Sequence, residues 1–178
     1  KGSSSFYFNP FQSLDSELRT DVQLTDLLID CLGLFHGEGY GRSYFSRRSR
    51  LLLYKAIHNP SGKRIKSFEE LNARILELAK DEKVAHDTFE LLAAVHAISR
   101  YEKVATGSNL DDASRAINMH DVLEHRQVVV FWLPAVVESA SVRELGKLAF
   151  FCHLAAAIDR KRLGKEARES LLVVDEFQ

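Results

Sequence analysis

Residues 128–134 read VVVFWLP and residues 170–178 read SLLVVDEFQ. Between them, from Ser141 to about Arg162, Leu145, Leu148, Ala149, Cys152, Ala155, Ala156 and Ile158 recur at helical spacing. A continuous β-branched and aromatic run is the pattern of a strand covered on both faces. Leu163 to Glu169 is a polar loop, and Leu171 to Val174 is a second apolar run. Strand, helix, strand in that order predicts a βαβ unit, whose two strands are parallel.

Working back towards the N-terminus, helical patterns dominate. Leu24, Leu27, Leu28, Cys31, Leu32 and Phe35 form one helix face, which Gly37, Gly39 and Gly41 are expected to stop. Ser43 can cap a helix to about His58, ended by Asn59-Pro60-Ser61-Gly62. Its apolar residues spread so widely that it is expected to sit centrally among other helices. Ser67 with Glu70 is a capping box opening a helix to about Lys80. A longer helix is predicted from Val84 to about Val104, with Phe89, Leu92, Val95 and Ile98 near one side. Phe6-Tyr7-Phe8 suits a short strand ended by an Asn9-Pro10 turn. Ile117 to Met119 suits a brief edge strand, and Asp121 to His125 a turn of helix. The fold expected is mostly α. Residues 1–14 and 113–178 belong to an α/β sheet, and residues 15–112 form an all-α domain inserted in it.

At 178 residues and 46% apolar content the chain can build one substantial core. No stretch approaches the ~20 apolar residues of a membrane helix, and KGSSS at the start lacks the pattern of a signal peptide. The chain begins with Lys1 and stops at the end of a strand-like run, so a piece of a longer protein is expected. Cys31 and Cys152 lie in apolar helical contexts and read as reduced core thiols of a cytosolic protein. The net charge of −1 is unevenly spread. Residues 1–40 carry −4, residues 41–66 carry +8 with no acid, and the remainder carries −5.

The carboxylates Asp175 and Glu176 end an apolar run. In P-loop ATPases a buried strand fixes such a pair: Asp holds Mg²⁺ through its water shell and Glu orients the attacking water. A solvated turn is the alternative reading. The phosphate cradle that would decide it, G-x-x-x-x-G-K-[ST], is absent. Ser61-Gly62-Lys63-Arg64 has Ile57 in place of the first glycine and Arg64 in place of the hydroxyl. Gly37-Glu38-Gly39-Tyr40-Gly41 reads as a flexible hinge. The seven histidines show no zinc spacing, Cys152-His153 reads as helix packing, and Trp132 reads as a sheet-core residue.

The ordered set FYFNPF, GYGRSYF, VVVFWLPA, RELGKLAF and LLVVDEFQ resembles the ATPase domain of type IV secretion coupling proteins, conjugative DNA-transfer motors related to FtsK and HerA. The resemblance covers nearly the whole chain, and DEFQ after an apolar strand is its sharpest element. It implies a RecA-like sheet holding an all-α domain between the Walker A and Walker B motifs. It also implies that Asp175 and Glu176 are the Walker B pair, with Gln178 near the nucleotide. ATP and Mg²⁺ would be the cofactors of the parent protein, a hexamer at the cytoplasmic face of the bacterial inner membrane, working with other secretion-system ATPases. Without Walker A, this chain alone is expected to show no ATPase activity and to be a monomer.

In such systems the all-α domain recognises cargo: relaxosome proteins, DNA, or the signal regions of relaxases and secreted effectors. The candidate surface is Arg42, Arg47, Arg48, Arg50, Lys55, Lys63, Arg64 and Lys66. Arg48 and Lys55, seven apart, share a helix stripe, with Arg47 and Arg50 pointing elsewhere. Three readings stay open: the patch binds DNA phosphates, binds an acidic protein segment, or is a solvated face paired with the acids of residues 15–38.

Overall fold

The computed structural model describes residues 6–14, 18–34, 42–58, 64–80, 89–99, 116–133 and 139–173. Among these it is mostly helical. The elements in chain order are β1 (Tyr7–Phe8), α1 (Pro10–Leu14), α2 (Asp21–Cys31), α3 (Arg42–Ile57), α4 (Phe68–Leu78), α5 (Phe89–Ser99), β2 (Ala116–Ile117), α6 (Met119–Glu124) and α7 (Ser139–Arg162).

Local chemistry explains several boundaries. Thr20 caps α2 with a full capping box: its hydroxyl accepts from the Gln23 amide, and the Gln23 side chain accepts from the Thr20 amide. Gly33, at φ 65°, ends that helix, with the Leu34 amide bonded back to the Ile29 carbonyl at 3.1 Å. The stop therefore comes earlier than Gly37 to Gly41, which lie outside the described residues. Ser67 caps α4 by accepting from the Glu70 amide, while Glu70 reaches the amide of Lys66, one residue before the cap. Asn9-Pro10 begins a helix rather than closing a turn. The Asn9 side chain accepts from the Phe11 amide, and proline takes the first helical position, where its missing N–H costs nothing.

The helices bury one continuous core. α2 contributes Leu28 and Ile29, α3 Leu52, Leu53 and Ala56, α4 Phe68, Leu71 and Ile75, and α5 Leu91, Val95 and Ile98. In α5, Val95 and Ile98 are buried as expected, whereas Phe89 is exposed and Leu91 takes a core position. α7 lies along the core through Leu148, Cys152 and Ala156, touching α1, α2, α5 and α6. Each fully buried leucine of this kind contributes about 1.5–3 kcal/mol. Phe11 meets Phe68 edge-to-face at 5.0 Å, joining α1 to α4.

β1 and β2 pair in parallel, Tyr7 with Ala116 and Phe8 with Ile117. The two apolar runs expected as strands differ. Residues 128–133 and 171–173 belong to no hydrogen-bonded ladder among the described residues. In the first run Val128, Val130 and Trp132 are exposed while Val129, Phe131 and Leu133 are half-buried, an alternation of period two. Phe131 meets Phe8 edge-to-face at 5.2 Å. Among the described residues the run is therefore covered on one face only, where the sequence pattern predicted cover on both.

The paths of these runs are nonetheless ordered. Leu133 lies beside Gly146, early in α7, whereas Glu124, just before the run, pairs with Arg160 near the end of that helix. After α7, Arg160 Nε donates to the Glu166 carbonyl and His153 Nε2 contacts Ser170 Oγ. Both runs thus travel opposite to α7 and in the same direction as one another. No helix among the described residues is long and apolar enough to cross a membrane.

Candidate functional site

α3 carries most of the basic block. Successive helical residues turn by about 100°, which places Ser49, Leu52, Leu53, Ala56 and Ile57 on the buried side. Arg47, Arg50, Leu51 and Lys55 lie on the opposite, exposed arc, and Arg48 sits half-buried on its flank. Arg47, Leu51 and Lys55 follow one another at single-turn steps and are all exposed, while Arg48, which shares a stripe with Lys55, is half-buried. Leu51 is 53% exposed.

α2 runs antiparallel beside α3 and supplies acids along one flank. Arg50 grips Asp26 in a two-pronged ion pair, Nη2 donating to Oδ2 at 3.0 Å and Nε donating to Oδ1. That hydrogen bond, with the Asp26 charge, raises the guanidinium pKa above its ordinary value. Asp21 Oδ2 lies 2.8 Å from His58 Nδ1, and the His58 ring stacks on Tyr54 at 5.4 Å. Neither Arg47 nor Lys55 makes an ion pair among the described residues. On the described part of α3, Arg47 and Lys55 thus lie on the side away from α2.

The remaining basic residues separate from this row. Arg64 Nη2 donates to the Arg19 carbonyl at 3.3 Å. Lys66 is exposed and its carbonyl accepts from Asn9 Nδ2 at 2.8 Å. Arg42 begins α3, and Lys63 lies outside the described residues. Asp175 and Glu176, the expected metal and catalytic carboxylates, also lie outside them, as does Gln178. Among the described residues no group of three or more His, Cys, Asp or Glu is placed to hold a metal.

A second constellation escaped the sequence reading. Arg19 Nη1 lies 2.7 Å from Asp159 Oδ2, with the carboxylate fully buried and the arginine side chain 8% exposed. His120 Nε2 stands 3.6 Å from the same oxygen and 3.1 Å from the Ser13 carbonyl. Among the described residues neither carboxylate oxygen receives an aligned hydrogen bond, so the attraction to Arg19 is Coulombic. Arg162 from α7 also donates to the Leu18 carbonyl at 3.3 Å. Residues 18–20, leading into α2, are clamped on α7. No local pattern signals this, because the partners are 140 positions apart by numbering.

Both thiols are buried. Desolvation pushes Cys31 up to about 12 and Cys152 well above the ordinary thiol value. They are core groups, not nucleophiles. No family model, curated protein or solved structure matches this chain.

Proposed function

We propose that this chain is a substrate-recognition module of a type IV secretion or conjugation coupling ATPase, recruiting protein or nucleoprotein cargo for export. The observation that carries the reading is the exposed face of α3, where Arg47 and Lys55 flank Leu51 and pair with no acid among the described residues. The ordered motif set of the sequence supports the family, and the helical body bearing α3 supports the role of its all-α domain. In this reading the module is inserted in a RecA-like sheet, faces the cytoplasm at the inner membrane, and meets relaxase or effector signal regions. The parent assembles as a hexamer with other secretion ATPases and uses ATP with Mg²⁺, which Asp175 would hold.

The test is direct binding between the purified chain and signal segments of relaxases or effectors. Saturable binding is expected, and the folded chain binding none of them overturns the reading.

A second reading, the ATP-driven translocation motor of the full hexamer, rests on the two apolar runs that leave α6 and α7 in one direction with exposed faces. Supplying an upstream segment bearing G-x-x-x-x-G-K-[ST] is expected to create ATP hydrolysis that Glu176→Gln abolishes. The present chain is expected to hydrolyse none.

A further inference from the structure

We infer that the exposed face of α3 holds an extended acidic peptide with the spacing acid-x-apolar-x-acid, its apolar side chain on Leu51 and its carboxylates on Arg47 and Lys55. This deepens the cargo-recognition reading and rests on it. The three helix residues stand at steps of four, about 6 Å apart along the axis at 1.5 Å per residue. Alternate residues of an extended peptide fall on one side at about 6.6 Å. The two repeats match over three contacts, so a single extended segment can satisfy all three positions without bending.

Charge complementarity selects the occupant. Residues 41–66 contain eight bases and no acid. Asp26 neutralises Arg50, and Asp21 faces His58, both on the α2 flank. What stays open among the described residues is the pair Arg47 and Lys55 on the other side. A lone exposed leucine signifies little; one set between two open cations at one-turn spacing is a mixed apolar and ionic surface. A nucleic-acid backbone would satisfy Arg47 and Lys55 but leave Leu51 facing water, which favours a peptide.

The experiment uses a fluorescein-labelled peptide, Gly-Glu-Ser-Leu-Ser-Glu-Gly, a permuted peptide of identical composition with the two acids adjacent, and a single-stranded oligonucleotide, each titrated by fluorescence anisotropy. The ordered peptide is expected to bind about tenfold more tightly than the permuted one, a difference of about 1.4 kcal/mol. Leu51→Ser is expected to weaken it about tenfold, and Arg47→Glu with Lys55→Glu by tenfold or more, with the salt dependence reduced. Circular dichroism and the melting temperature should be unchanged, because all three side chains are exposed. Equal binding of the two peptides, indifference to the variants, or binding of the oligonucleotide alone overturns the inference. Binding of a relaxase or effector signal segment that survives the charge reversals overturns this surface while leaving the cargo-recognition reading standing.

Discussion

Asp159 is a fully buried carboxylate whose neighbouring cation comes from a loop at the other end of the chain. Removing one member of such a pair leaves the other charged and desolvated, which costs about 3–5 kcal/mol. Arg19→Met and Asp159→Leu should therefore each lower stability in urea unfolding, Arg19→Met by about that amount. The double replacement Arg19→Met with Asp159→Leu should recover most of the loss, since an apolar pair needs no counter-charge. Additive losses in the double variant would show that Arg19 and Asp159 act independently. The surface pair of Arg50 with Asp26 differs in kind. Its side chains are about half exposed, so solvent and salt screen it.

At the scale of elements, α6 is tied to the last turn of α7 and the segment after it by one carboxylate and three cations. Glu124 accepts from Arg160 at 2.5 Å and from Lys165 at 3.4 Å, with Arg168 Nη2 at 3.7 Å. Arg168 Nη1 also donates to the Leu123 carbonyl at 3.1 Å and to that of Glu124, capping the end of α6. Gly164, at φ 68°, turns the chain back so that Lys165 can reach Glu124. The Arg160 hydrogen bond, with the charges of Arg160 and Lys165, outweighs desolvation and holds Glu124 below the usual carboxylate range. A depressed folded value stabilises the protein above the unfolded carboxylate value of about 4.3. That contribution fades as pH falls through the lower folded value. The difference in urea midpoint between wild type and Glu124→Gln should thus be largest near neutrality and vanish in strong acid. A pH-independent difference would refute the linkage.

Across the whole molecule, the apolar alternation of residues 128–133 leaves Val128, Val130 and Trp132 open on one side. Trp132 is the single tryptophan and is 86% exposed, so intrinsic tryptophan fluorescence reports on this run alone. The emission should be that of a water-exposed indole, fully quenched by acrylamide. A blue, protected spectrum from the present chain would contradict the exposed placement.

Helices were the legible part of this protein. Apolar residues at steps of three and four, Ser67 with Glu70, and the breaker Asn59-Pro60 all act within a few residues, and local sequence carries that information in full. The predominance of helix, α3 with its mostly buried rear face, and the basic block followed from those signals. Gly33 could have been recognised as the stop of α2, because glycine just past an apolar period is the ordinary signature. Strand pairing, the choice between Phe89 and Leu91 for the core, the clamp of residues 18–20 on α7, and the division of the basic residues into a neutralised flank and an open row belong to the tertiary structure. Each depends on partners distant in sequence, and Coulomb attraction, burial and ladder hydrogen bonds exist only once the chain has brought those partners within a few ångströms.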